Sequence, residues 1–335
     1  MVRVMKASFE RLLKIFGINL FKIISLLLAV SIISFTLVTV SPIDPVKQYI
    51  LGLGTAVSPE KRAELEAYWG VDKPPVERYL TWLNELLHGD MGESLIYRRP
   101  VADIIGERFV NSLALMICAW LLAGVIGFAL GCVMGMYHDR LPDKIIKKMC
   151  YVLSSVPTFW LGLLLLLIFS VWLGWFPIGF SSPIGVASEN VTIAQKLHHL
   201  ILPAFTLSLM SFSNIALHTR QKLIDVLSSE YVLFAEARGE SSWKILHRHG
   251  FRNIILPALT LQFASFAELF GGSVMAENVF SYPGLGSAVS AAGLQGDVPL
   301  LLGITLFSAL FVCVGNMLAN MLYGVVDPRI REVGE

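Results

Sequence analysis

Apolar runs long enough to cross a bilayer alternate along this chain with shorter polar connections. Residues 20–40, 113–137, 150–176, 197–217, 254–275 and 298–326 form six such runs. A hydrocarbon core of roughly 30 Å takes about 20 residues at helical rise, so each run is expected to be a transmembrane helix. No Asp, Glu, Lys or Arg occurs between Met149 and Ser188, and the end of the third run is set by the helix-breaking Gly174, Trp175, Phe176, Pro177. The first run is longer than a signal-peptide core and Ser41, Pro42 is not a small-residue cleavage site, so an uncleaved span is expected.

Two polar interruptions stand out. Residues 41–108 form the one sizeable region outside the spans, with a helix start at Ser58, Pro59 running over residues 60–66 and a second helical stripe of Tyr79, Trp82, Leu83, Leu86 and Leu87. The bland reading is a small lid on the ends of the spans; the functional one adds that it guides a docking protein. Residues 230–257 form the other interruption. Tyr231, Phe234, Ala235 and Arg238 fall at the spacing of one helical face, Gly239 sits where a left-handed cap is wanted, and Ser241 or Ser242 can start a second short helix. A polar helix-turn-helix between two apolar segments reads as a knob held out to a soluble partner.

Composition agrees with a membrane class: 55% hydrophobic residues and only 15% charged do not suit a chain that meets water on all sides. A net charge of +1 gives no reason to invoke nucleic acid. Its distribution is informative. With the N-terminus inside, Arg3, Lys6, Arg11 and Lys14, then Arg140, Lys144, Lys147 and Lys148, then Arg220 to Arg252, then Arg329 and Arg331, all fall on the cytoplasmic side, while the two short outer loops hold only Lys196. This places both termini and the knob inside. Cys118, Cys132, Cys150 and Cys313 lie in or beside apolar runs without C-x-x-C spacing and read as small buried hydrophobes.

The sequence Glu230, Tyr231, Phe234, Ala235, Glu236, Ala237, Arg238, Gly239 resembles the loop by which the membrane subunit of binding-protein-dependent ABC importers grips its ATPase. Glu277, Asn278, Val279, Phe280, Ser281, Tyr282, Pro283, Gly284 and the terminal Asp327, Pro328, Arg329, Ile330, Arg331 resemble the peptide/nickel branch of these permeases, and Gly89, Asp90, Met91, Gly92, Glu93, Ser94 its B-type subunit. The resemblance covers essentially the whole chain. It implies an all-α integral membrane protein with the six-span type I importer fold. Residues 1–110 would hold the N-terminal tail, the first span and a helical extracytoplasmic segment; residues 111–330 would hold the transmembrane domain, with its ATPase-docking loop at 218–253. It further implies a homologous C-type permease, two ABC ATPase subunits, an extracytoplasmic substrate-binding protein, and a cargo of small peptides or nickel or metal chelates at the cytoplasmic membrane. Trp243 joins the docking residues, and Arg238, Gly239 and Trp243 are expected to transmit the movement.

Enzyme motifs are missing. The chain has no phosphate loop, nor even a Gly followed by Lys, so no cofactor is expected in it and ATP and Mg would belong to separate ATPase chains. Gly127, Gly131 and Gly135, with Gly124 nearby, make a stripe that admits close helix packing in lipid or leaves room for solute. Glu268, inside the fifth run beside Gly271 and Gly272, costs roughly 2.5–3.5 kcal/mol to insert near a helix centre. Either a partner such as Asn214, His218 or Asn316, or protonation, compensates it, or it faces the translocation path and favours cationic cargo. Gly271, Gly272, Glu277 and Asn278 are further path candidates, Glu277 and Asn278 by resemblance. His198 and His199, and His247 and His249, read as structural or contact residues, and no metal site is expected. Two other readings remain: a secondary transporter, which would want more ionisable residues at midplane and internal repeats, and a membrane sensor or scaffold that docks a partner and moves nothing.

Overall fold

The computed structural model of the chain describes residues 2–41, 46, 47, 50, 58–60, 62 and 73–326. The helix expected over 60–66 and the motif at 327–331 lie outside the described residues, apart from a first turn in which Arg62 N donates to Ser58 O at 3.0 Å. The elements are α1 (Val2–Val40), α2 (Pro75–Leu87), α3 (Val101–Met136), α4 (Leu141–Ser155), α5 (Thr158–Leu166, continued by a π-helical stretch Leu167–Trp172) and α6 (Ile193–Leu227). They are followed by α7 (Glu230–Ala237), α8 (Ser242–Ile245, continued by a π-helical stretch Leu246–Gly250), α9 (Phe251–Val279), α10 (Leu285–Gln295) and α11 (Val298–Val326). Among the described residues there is no strand, only a single antiparallel bridge between Glu93 and Pro100.

Four of the six expected spans are single helices long and apolar enough to cross a membrane: residues 20–40 of α1, then α3, α6 and α11. The other two are bent. Residues 150–176 do not make one helix, because α4 and α5 meet at 108°. Pro157 has no N–H for the helical ladder and drives Val156 into extended backbone (φ −90°, ψ 133°). In α9 the halves Asn253–Phe266 and Glu268–Val279 are inclined by 57°. Apolar content alone defined the second run as 113–137, whereas α3 begins at Val101 because the residues from Val101 onward already bury Val101, Ile104 and Ile105. Helix α10 has no counterpart in the apolar runs.

The chain divides into two compact units, Met1–Phe109 with Ala288–Met317, and Val110–Ser287 with Leu318–Glu335. Most of the sixth span, up to Met317, belongs to the first unit. There, α2 lays Tyr79 and Trp82 against Phe35 of α1 with ring centroids 5.4 and 5.8 Å away, and the Tyr79 hydroxyl shares a 2.8 Å hydrogen bond with Ser31 Oγ. Leu83 and Leu86 are half-buried, while Leu87, assigned to the same stripe, is exposed. Gly89 and Gly92 turn the following loop at φ +87° and +77°.

In the second unit α6 is the central element, started by a capping box in which Thr192 Oγ1 accepts from Gln195 N and Gln195 Oε1 accepts from Thr192 N. The glycine stripe of α3 closes onto it. A Cβ at Gly127 would lie 2.8 Å from Phe212 O, at Gly131 2.5 Å from Thr219 Cβ and 2.7 Å from Ala216 O, and at Gly135 2.7 Å from Leu223. Lipid gives helices no hydrophobic reason to associate, so this backbone proximity and its dispersion energy hold the pair. The stripe is therefore packing surface, not pore lining. On α4, the buried Asp143 receives a two-pronged bond from Arg220 of α6, Nε to Oδ1 at 2.6 Å and Nη2 to Oδ2 at 2.7 Å. All four cysteines are free, Cys132 and Cys150 buried and Cys118 and Cys313 half-buried.

Overpacking such a seam costs about 1–3 kcal/mol. Gly131→Ala is expected to lower the thermal unfolding midpoint of the solubilised protein. Gly106→Ala, on the same helix with no atom within 4 Å of the new Cβ, is expected to leave it in place. Equal midpoints for the two variants would remove the seam from the account.

Candidate functional site

Helix α7 ends in a motif its sequence encodes. Gly239 takes φ +81°, its N–H donates to Glu236 O at 2.8 Å, and Glu240 N donates to Ala235 O at 3.2 Å, the paired bonds of a Schellman cap. The turn brings α8 back so that Ile245 packs with Val232 and Ala235, all three buried, with Val226 and Leu227 of α6 against them. The chain is thereby anchored by a small apolar core of its own. Glu240 and Arg248 close the turn on the outside with a 3.7 Å ion pair, and Asn253 Nδ2 donates to the Tyr231 hydroxyl at 3.2 Å.

This core decides which way each docking candidate points. Glu230, Tyr231, Phe234, Glu236, Ala237, Arg238, Gly239 and Trp243 are exposed, Phe234 at 66% and Trp243 at 70%. Ala235 is not. The spacing placed it on the presented face with Tyr231 and Phe234, but its methyl is drawn into the contact with Val232 and Ile245, so the presented face is Tyr231, Phe234 and Arg238. A second correction concerns α8. It does not close before the fifth span; helical backbone continues from Ser242 through the π-helical stretch to Val279 without a loop. Leu246 and Ile254 pack with Leu223 and Cys132 at the root of this continuous helix.

Beyond the bend in α9, Glu268, Gly271, Met275 and Asn278 recur at helical spacing and are all exposed, forming one face. The Glu268 carboxylate makes no hydrogen bond or ion pair among the described residues, so Asn214, His218 and Asn316 do not compensate it. Gly272 is turned away, half-buried, with its missing Cβ 2.9 Å from Leu207 and 3.2 Å from Met210 Sδ.

Glu277 belongs elsewhere. It is buried, with Oε1 accepting from Ser112 Oγ at 2.7 Å and Oε2 from Ser287 N at 3.0 Å, while Ser112 Oγ accepts from Leu285 N at 2.8 Å. A carboxylate is thus held against the N-terminus of α10, where free N–H groups and the helix dipole favour negative charge. A Cβ on Gly284 would lie 2.3 Å from Glu277 Cδ, which is why a glycine stands there. The turn from Phe280 to Gly284 is therefore organised around Glu277, with Phe280, Tyr282 and Gly284 buried and Ser281 exposed.

A second buried acid went unnoticed in the sequence. Asp297 caps α11, accepting from Leu300 N at 3.2 Å, and also takes Ser94 Oγ at 2.5 Å and Ile96 N at 3.1 Å, which ties the Gly89-to-Ser94 segment to the helix start. Asp297, Val298, Pro299 was a readable signal, an acidic cap with Pro just inside. His198 Nε2 lies 2.9 Å from Trp175 O and His199 Nδ1 2.9 Å from Gly179 O, fastening the preceding loop to α6. His247 sets its ring edge on Phe251, and the His249 side chain lies outside the described residues. His138, Asp139 and Asp143 lie close enough for a metal, but the two oxygens of Asp143 are already engaged by Arg220 and by Asp139 N.

Comparison with known proteins adds an independent line. A sequence profile of the family described as binding-protein-dependent transport system inner membrane component matches residues 127–332. An oligopeptide transport system permease protein of Bacillus subtilis is 35% identical over 311 residues, covering 92% of this chain and 96% of that protein. A putative peptide transport system permease protein of Brucella abortus is 34% identical, covering 92% and 96%. A glutathione transport system permease protein of Salmonella typhi is 33% identical, covering 93% and 97%.

The two acids of α9 are expected to behave oppositely on truncation. Glu277→Ala strands the Ser112 hydroxyl and the Ser287 N–H, at about 1–3 kcal/mol for each buried group left without a partner, and lowers the thermal midpoint. Glu268→Ala leaves it unchanged. A thermal melt of both variants checks the division.

Proposed function

The chain belongs to the family of inner-membrane components of binding-protein-dependent transport systems, and from that premise we propose how its knob and its α9 face divide the work. It is a multi-pass permease subunit of an ABC importer of the peptide family, not an enzyme, and separate ATPase subunits hydrolyse the ATP. It works with ATPase and substrate-binding protein partners. In our reading those partners are two ABC ATPases and an extracytoplasmic binding protein, and a homologous C-type permease completes the path. ATP and Mg stay on the ATPases, and both termini and the knob lie in the cytoplasm. Cargo is a peptide rather than a nickel chelate, in keeping with relatives named for oligopeptide, peptide and glutathione transport.

One observation carries this reading: exposed Phe234 and Trp243 sit on a helix pair braced by its own buried core, and that pair runs unbroken into α9. Exposed aromatic side chains of this size suit insertion into a partner's pocket. Because the helical ladder is continuous from Ser242 to Val279, closure of the ATPases would tilt the helix that carries Glu268 instead of dissipating in a flexible linker. Arg238, Gly239 and Trp243 transmit the movement. The face of Glu268, Gly271, Met275 and Asn278 lines the path, with Glu268 favouring cationic groups of the cargo. Glu277, buried beside it, shapes the turn that follows and does not meet cargo.

The left-handed backbone of Gly239 excludes proline, whose ring fixes φ near −65°. Gly239→Pro and, separately, Glu236→Arg are expected to insert in the membrane as the wild type does but to abolish transport-coupled ATP hydrolysis. Phe234→Ala with Trp243→Ala is expected to weaken capture of the ATPase at least about tenfold, as loss of an aromatic anchor does. Normal coupled turnover in the proline variant would refute the docking role.

A further inference from the structure

Helix α4 presents three distinct faces. Asp143 and Cys150 are buried toward α6. Leu141, Ile145, Met149 and Val152 recur at intervals of four, four and three, so they share a second face, and it is bare: Leu141 is 73% exposed, Ile145 62% and Val152 61%. Lys144 and Lys148 are exposed along one edge of that apolar face, followed around the helix by Tyr151, with Lys147 half-buried beyond and Arg140 at the N-cap. The acids nearby are Asp139, exposed and 3.5 Å from His138, and Asp143, which is already paired with Arg220. Three cations, Arg140, Lys144 and Lys148, thus border an exposed apolar stripe, with Asp139 the exposed carboxylate near them.

The direction of the helix completes the picture. Val156 and Pro157 are extended, and α5 leaves at 108° to α4. Helical residues Thr158–Leu166 and Leu167–Trp172 cover about 22 Å at 1.5 Å per residue. The two extended residues before them add roughly 6–7 Å, so this stretch with the turn at Leu173 nearly matches a hydrocarbon core of roughly 30 Å without any contribution from α4. At the far end Trp172 and Trp175 are exposed, as side chains at a membrane boundary are. An amphipathic helix with lysines along its apolar edge, joined by a sharp bend to a segment that can cross by itself, has the form of a helix lying in the interface.

We propose that α4 is an interfacial helix: its Leu141, Ile145, Met149, Val152 face dips below the headgroups of the bilayer, and Lys144, Lys148 and Arg140 bind anionic lipid phosphates. The lysine stems lie along the apolar surface and carry the ammonium groups up to the phosphate level. Asp143 and Arg220 then fasten this lipid-seated helix to α6, so the membrane surface fixes the height at which α6 delivers the knob.

The test uses the full chain in its assembled transporter, reconstituted in vesicles of phosphatidylcholine alone or with phosphatidylglycerol, with p-benzoyl-phenylalanine placed at Ile145 and, separately, at Val152. Ultraviolet crosslinking followed by mass spectrometry is expected to give lipid adducts at the glycerol or upper acyl carbons. Their yield should rise about fivefold per engaged cation with the anionic lipid, and the rise should vanish in the Arg140→Gln, Lys144→Gln, Lys148→Gln variant. Adducts to another subunit, adducts at the ends of the acyl chains, or yields indifferent to headgroup charge would each overturn the proposal. Because the probe replaces exposed side chains, a parallel variant with the probe at Leu141 guards against local misfolding, and the same lipid pattern is expected there.

Discussion

The closeness of α3 and α6 is the constraint on which the second unit depends. Gly127, Gly131 and Gly135 remove every side chain between the helices along three successive turns, and the atoms they admit are the carbonyls of Phe212 and Ala216 and the side chains of Ile215, Thr219 and Leu223. In water, apolar side chains would bring two such helices together; in lipid only contact itself distinguishes a packed helix from a solvated one. With α6 held in this way, α9 and α4 have a fixed wall to pack on, and the knob grows directly from its end through Val226 and Leu227.

Three buried acids are satisfied by groups brought in from distant parts of the chain. Asp143 meets a guanidinium in a geometry that uses both oxygens, while Glu277 and Asp297 each take hydrogen bonds from a serine hydroxyl and from N–H groups at the start of a helix. The two serines each serve twice, donating to the acid and accepting from a backbone N–H, Leu285 N for Ser112 and Tyr97 N for Ser94. A helix N-terminus offers unpaired donors and a favourable dipole, so an acid there needs no countercharge. The contrast with Glu268 is physical. Glu268 is exposed on the same helix as Glu277 and has no such donors among the described residues.

The knob is continuous with the helix that follows it: helical backbone runs from Ser242 to Val279 without a loop. The π-helical stretch from Leu246 to Gly250 keeps the backbone hydrogen-bonded while it changes the helical phase, and Gly250 fits there because a Cβ would press on Leu246 at 2.9 Å. The bend near the middle of α9 lies between this root and the face bearing Glu268.

The elements with strong local signals were legible in the sequence. Apolar length located the spans, with α11 matching at both ends; Gly239 announced its cap; the knob motif, read with the Gly89 and Glu277 segments, gave the family; and the lack of a phosphate loop put ATP on another chain. Spacing could not say which side of α7 is buried, because Val232 and Ala235 acquire their partner Ile245 only when the turn folds back. Nor could it tell Glu268 from Glu277, two acids in one helix, since one finds a serine more than a hundred residues away and the start of α10, and the other finds none. Hydropathy counts methyl groups along the chain and is blind to direction, so it joined α4 to α5 across Pro157 and let the glycine stripe stand for either packing or pore. Those choices rest on which surfaces meet across the fold, and only the tertiary structure decided them.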